Sequence, residues 1–177
     1  MGIAAHLCDN AVMQLTQERA RELFDYRDDG NLVWKVKKAR ANPGDVVGCE
    51  FQSSRGGRYR RTKVDGVNYG VHQVVFLWHH GFIPNYTDHA DGNGLNNRIE
   101  NLREATQSQN CFNSRMRCDN TSGERNVYWH ERARRWFVRL SINRRTRSFG
   151  TYKTIAEARA VARRVREEHY GAFARHN

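Results

Sequence analysis

No apolar run in this 177-residue chain approaches the roughly 18–20 residues that a membrane span needs. The apolar residues come in short stretches broken by Gly, Asn and Asp, and at 38% of the sequence they are thin for one large core, so several small cores are expected. The opening MGIAAHLCDN lacks the basic, apolar and small-residue order of a secretory signal. A soluble, cytoplasmic chain with no membrane partner is the expectation. The four cysteines, Cys8, Cys49, Cys111 and Cys118, form no CxxC pair. Neither a disulfide framework nor a zinc site is expected from them.

The short stretches have readable periods. An opening helix is expected where Thr16 can cap and Leu15, Leu23 and Phe24 share a face, with Asp28-Asp29-Gly30-Asn31 stopping it. Alternating stretches Leu32 to Val36 and Tyr59 to Val64 predict strands around a mobile Gly/Ser/Arg-rich loop, and Asp65-Gly66 predicts a hairpin turn into Val67 to Val71. The densest apolar decapeptide, Val71 to His80, reads as a buried helix ending at Gly81, although its period also admits a strand. Further on, Val127 to His130, Trp136 to Ile142 and Arg147 to Tyr152 predict three strands with a turn at Asn143-Arg144-Arg145. The last element has the clearest helix signals: the capping box Thr154-Ile155-Ala156-Glu157, an apolar stripe of Ile155, Ala158, Val161, Ala162 and Val165, and Gly171 as terminator. Arg159, Arg163 and Arg166 are placed on its opposite face. Three strands and one amphipathic helix make a minimal layered module.

Charge divides the chain. Residues 1–110 hold 14 Lys or Arg against 13 acids, whereas residues 111–177 hold 16 against 6, so the last third carries +10 of the net +11. Arginines outnumber lysines 25 to 5, which favours bidentate contacts to phosphate and guanine over a merely solubilising surface. Interleaved with Tyr128, Trp129, Trp136 and Phe137, they point to a nucleic acid as partner.

Residues 87 to 110, T-D-H-A-D-G-N-G-L-N-N-R-I-E-N-L-R-E-A-T-Q-S-Q-N, place a carboxylate beside an imidazole and follow them with asparagines. Asn101 stands twelve residues after His89, and Asn110 nine further on. This string resembles the HNH, or ββα-metal, endonucleases of the homing branch. There an Asp-His pair ends one strand, an Asn sits on the next, and a His or Asn projects from the following helix. The resemblance extends upstream through L-T-Q-E-R-A-R-E-L-F-D-Y, G-N-L-V-W-K and G-V-N-Y-G-V-H-Q-V-V-F, covering residues 15 to 114, and implies bacterial or phage-infected host cytoplasm.

Phosphodiester hydrolysis needs a base for water and a cation for the charge on phosphate and leaving oxygen. With an ordinary pKa of about 6.5, His89 suits the general base. Asp88 and Asn110 offer hard oxygen ligands for one Mg²⁺, with Mn²⁺ able to substitute. Asn101 is assigned a supporting catalytic role, fixing the loop that carries His89 and orienting its ring. Asp91-Gly92-Asn93 and Asn96-Asn97 have the chemistry of turns. His79 and His80 read as helix-end residues; for His72, packing and a phosphate contact are both open.

Residues 122 to 174, with S-G-E-R-N-V-Y-W, R-R-W-F-V-R-L-S-I, S-F-G-T-Y-K-T-I-A-E-A and Y-G-A-F-A, resemble the APETALA-like, or ethylene-response-factor, DNA-binding domain. Strand alternation turns Trp136, Val138, Leu140 and Ile142 towards the helix, and Arg135, Phe137, Arg139 and Ser141 away from it. The resemblance places Arg125, Tyr128, His130, Arg139, Ser141 and Thr146 on the DNA face, joined by the turn arginines Arg144 and Arg145. Asn126 stands where the family usually has Gly.

The expected fold is α+β: an N-terminal helix-and-strand region (1–70), a ββα-metal unit (71–117), and a basic three-stranded antiparallel sheet with one helix (118–177). The expected function is Mg²⁺-dependent cleavage of double-stranded DNA, homing or nicking, with no obligate protein partner. A chain ending near Arg117 is expected to keep its active site. The alternatives are a non-catalytic, sequence-specific DNA-binding regulator and an RNA nuclease.

Overall fold

The computed structural model describes residues 14–54, 56–113, 116, 120–143 and 145–176. It is an α+β protein of two compact units: residues 1–83 with 94–100, and residues 84–93 with 101–177.

In the first unit, helix α1 (Gln17–Leu23) starts at Thr16, whose hydroxyl accepts from Arg19 N. The expected continuation through Phe24 does not occur. Phe24–Tyr26 is strand β1, paired antiparallel with the fully buried β2 (Leu32–Trp34), and residues 28–30 turn the hairpin. Burying Phe24 against Trp34, ring centroids 4.7 Å apart, wins over helix propagation. A strand that the sequence did not announce, β3 (Cys49–Gln52), pairs with β4 (Arg58–Val64). The expected mobile loop is their turn, closed by Ser53 N–H to Gly57 O at 2.7 Å and Gly57 N–H to Ser53 Oγ at 3.1 Å.

Strand β5 (Val67–Gly70) completes this sheet across the Asp65-Gly66 turn, both of whose residues have positive φ, the left-handed geometry that suits a two-residue hairpin. Helix α2 (Val71–His80) follows and ends at left-handed Gly81, burying Val71, Val74, Val75, Phe76 and Leu77. Each such side chain contributes about 1.5–3 kcal/mol of burial free energy. His79 packs edge-on against Tyr26 at 4.5 Å, and His80 lies 4.4 Å from the Phe76 ring. Residues 94–100 belong to this unit: Ile99 N donates to Tyr26 Oη, and a Cβ at Gly94 would lie 2.5 Å from Arg58 O.

The second unit begins with the hairpin β6 (Thr87–His89) and β7 (Leu102–Glu104), then helix α3 (Gln107–Phe112). A three-stranded antiparallel sheet follows in the order β10 (Arg145–Tyr152), β9 (Arg135–Ile142), β8 (Val127–His130), then helix α4 (Ile155–Tyr170). Val127, Val138 and Leu140 of the sheet form one core with Ala158, Ala162, Val165 and Tyr170 of the helix. Asn126, just before β8, has φ +65°, the left-handed geometry that Gly adopts freely and that Asn tolerates better than most other residues. The placement of Arg166 on the solvent face of α4 is corrected. It lies three and four residues after Arg163 and Ala162, so it shares the stripe of Ala162 and Val165 and is 1% exposed. Its Nη1 donates to Arg125 O at 2.6 Å.

Candidate active site and nucleic-acid interface

Strand register sets the site. Asp88 pairs with Arg103 across the β6–β7 hairpin, and His89 pairs with Leu102. Asp88 and His89 are 4% and 5% exposed, so whatever faces the carboxylate must satisfy it. Arg103 does so from the opposite strand, donating to Asp88 Oδ2 through Nε at 2.9 Å and Nη2 at 2.7 Å. Asn113, which caps the C-terminus of α3 and is itself buried, completes the arrangement. Its Nδ2 lies 2.9 Å and 3.0 Å from the two Asp88 oxygens and 2.7 Å from the carbonyl oxygen of His89.

The chain immediately after His89 is held by Asn101. Ala90 N donates to Asn101 O at 2.9 Å, Asp91 N donates to Asn101 Oδ1 at 3.0 Å, and Asn101 Nδ2 donates back to Asp91 Oδ1. Asn93 N donates to the same Asp91 oxygen, and Gly92 N to His89 O. Asp88, His89 and Asn101 are thus brought together. Asn110 is exposed on α3, its N–H bonded to Thr106 O; the amide that meets Asp88 is Asn113's. The signal for Asn113 was its spacing, three residues beyond Asn110 on a helix that Thr106 and Gln109 cap reciprocally.

Among the described residues no group of three or more His, Cys, Asp and Glu side chains is gathered for a metal. Asp88 is an oxygen donor of the kind a hard cation takes, and such a cation would draw its other ligands from phosphate and water. Asp88 supplies the carboxylate, and among the described residues its Oδ1 accepts only from Asn113 while Oδ2 takes three N–H groups.

On the sheet of the second unit, Tyr128, Arg139, Ser141, Arg145 and Thr146 are exposed, alternating with the buried Val127, Val138 and Leu140. Arg125, Tyr128, Arg139, Ser141 and Thr146 line one cleft of 810 Å³, whose other wall includes Gln107, Ser108 and Cys111 of α3. His130 and Arg145 are not among its lining; His130 Nδ1 accepts from Ala133 N in the β8–β9 turn. Arg144 lies outside the described residues. Partial burial, then the nearby Arg175 and Arg166, lower the Arg125 pKa from its ordinary value. Burial raises that of the Tyr170 phenol, whose hydroxyl donates to Ser141 O.

The HNH endonuclease family model matches residues 69–111, the span from β5 to α3. Protein 3.8 of Escherichia phage T7 is 34% identical over 106 residues, 59% of this chain and 87% of that protein. The chain belongs to the family of that phage protein and carries an HNH endonuclease domain. HNH nucleases are metal-dependent. No solved structure matches the chain significantly.

Proposed function

We propose that this protein is a Mg²⁺-dependent endonuclease hydrolysing phosphodiester bonds in double-stranded DNA, of the homing or nicking type, acting in the cytoplasm of a bacterium or phage-infected host. The observation that carries the reading is the β6–β7 hairpin: it seats Asp88 beside His89 and fixes both through Arg103, Asn113 and the Asn101-held turn. His89 takes the proton from the attacking water. Asp88 and Asn110 would hold the Mg²⁺, which when bound supplies charge neutralisation at the phosphate and leaving oxygen. Asn101 keeps the turn after His89 in place, and so the backbone from which the imidazole projects.

The C-terminal sheet acts as an APETALA-like DNA-binding module, with Arg125, Tyr128, His130, Arg139, Ser141, Arg144, Arg145 and Thr146 on its DNA side. Its support is the excess of positive charge after residue 110 together with the exposed alternation of β9. The test is conversion of supercoiled plasmid to nicked or linear form with Mg²⁺, with Mn²⁺ and with chelator, competed by structured RNA. Chelator-sensitive DNA cleavage is expected. Tight DNA binding without cleavage under any divalent cation would decide for a DNA-binding regulator, and preferential loss of RNA for an RNA nuclease.

A further inference from the structure

We infer that the short segment following α4, residues 171–175, is a brace that positions Asp88 and His89 for reaction. The inference rests on the reading of those two residues as the reacting centre. Three contacts run from this segment, one to each element that carries the site.

The first acts on β7. Arg103 spends Nε and Nη2 on Asp88, its remaining Nη1 donates to Ala172 O at 2.8 Å, and its guanidinium carbon lies 3.7 Å from the centroid of the Phe173 ring. A guanidinium bonded at two edges and stacked on an aromatic face has little rotational freedom left, so it presents a fixed fork to the carboxylate. The second acts on α3, where Arg175 Nη1 donates to Asn113 O at 3.1 Å. This pins the residue whose side chain contacts both Asp88 oxygens and the His89 carbonyl. The third acts on the turn after His89. Gly92 has φ +69°, its N–H donates to His89 O, and a Cβ there would lie 2.0 Å from Arg175 Nη1. Arg175 therefore fills the space beside that turn. The brace is itself anchored, because Tyr170 at the end of α4 stacks on Phe112 of α3, ring centroids 3.7 Å apart and planes 7° from parallel.

The C-terminal module thus does more than bind: its last residues complete the support of the nuclease carboxylate. A chain ending near residue 117 keeps Asp88, His89, Arg103 and Asn113 but loses Ala172, Phe173 and Arg175. On this inference such a truncation loses part of the support of its active site, contrary to the expectation that the site stays intact.

Phe173→Leu and Arg175→Gln, made singly and together in the full chain, test the brace beside wild type and His89→Ala. Single-turnover cleavage at saturating DNA should fall by about 10–100-fold in the double variant, the usual consequence of losing groups that orient a ligand, while DNA affinity stays within a few-fold. The Mg²⁺ concentration for half-maximal rate should rise. In metal-free protein, NMR hydrogen exchange of the Asn113 side-chain amide and the Gly92 N–H should quicken while that of β9 is unchanged. Wild-type rate, Mg²⁺ dependence and exchange in the double variant would overturn the brace, as would a loss confined to DNA affinity. A fully active His89→Ala would instead sink the reading of the centre, and the exchange measurement would still judge the brace.

Discussion

The hairpin carrying Asp88 and His89 and the sheet-and-helix module after it are held by different forces. In the module, Val127, Val138 and Leu140 interdigitate with Ala158, Ala162 and Val165, and the polar groups of the strands face outward. In the hairpin and α3 only Leu102 and Ala105 are buried apolar residues, and the structure depends on one carboxylate surrounded by N–H donors. Apolar packing is non-directional and tolerates small shifts; a buried charged network has one correct geometry and fails when a partner is removed. The module is built to be stable and the hairpin to be exact in position.

Removing the imidazole should have the largest effect. His89→Ala should lower single-turnover cleavage by about 10²–10⁴-fold, the ordinary contribution of a general base, with DNA affinity within a few-fold of wild type. Measured against it, Leu140→Ala should leave the chemistry alone and cost about 2–5 kcal/mol of stability in denaturant unfolding, because it empties a fully buried site shared by β9 and α4. Chemistry lost in the second variant without loss of stability, or the reverse in the first, would break the contrast.

The two regions were also unequally legible. Alternation along β9, the Thr154–Glu157 capping box and Gly171 each act through residues close in sequence, so the module's strands and helix could be read directly. Asp88, His89 and Asn101 were singled out through the resemblance of residues 87–110 to the HNH string, and the hairpin brings the three together. The Asp88–Arg103 pairing followed from a strand register that the sequence does not state, and the contacts from Ala172, Phe173 and Arg175 join residues more than 60 positions apart. Arg166 shows the same limit: its charge suggested solvent, its helical position beside Ala162 and Val165 put it inside, and Arg125 O and His176 Nδ1, which meet its guanidinium from elsewhere in the fold, make that burial tolerable. Phe24 went to a strand because its partner Trp34 lay beyond the turn that was expected to end a helix.

A smaller effect probes the outward face. Arg139 is exposed mid-strand opposite Ser148 and lines the cleft with Tyr128 and Thr146. Arg139→Ala should weaken duplex binding by about 1–3 kcal/mol and relax sequence preference if it meets a base edge. A phosphate contact would instead weaken all sequences alike and reduce the salt slope by about one. Titrating matched and scrambled duplexes over a range of salt separates the two. No change in either would remove the β9 face from the interface.

The smallest expected effect compares the two regions through one shared device. Thr106 and Thr154 start α3 and α4 with the same reciprocal cap: each hydroxyl accepts from the backbone N–H three residues on, and the Gln109 or Glu157 side chain accepts from the Thr N–H. Replacing either Thr by Ala removes one such bond and should cost about 1 kcal/mol of helix stability. In α4 the loss is spread over 16 residues whose apolar stripe is locked into the core, so cleavage by Thr154→Ala should be unchanged at temperatures well below unfolding. In α3 the helix is only six residues long with no buried side chain of its own, and its far end presents Asn113 to Asp88. The same loss there should fray the helix within the native state and slow cleavage, with a raised Mg²⁺ requirement, because isolated short helices are marginal without tertiary support. Equal stability losses with unequal cleavage rates are the expected pair of measurements. Equal cleavage in both variants would mean that Asn113 is held by Asp88, His89 O and Arg175 alone, and that α3 contributes nothing further to its position.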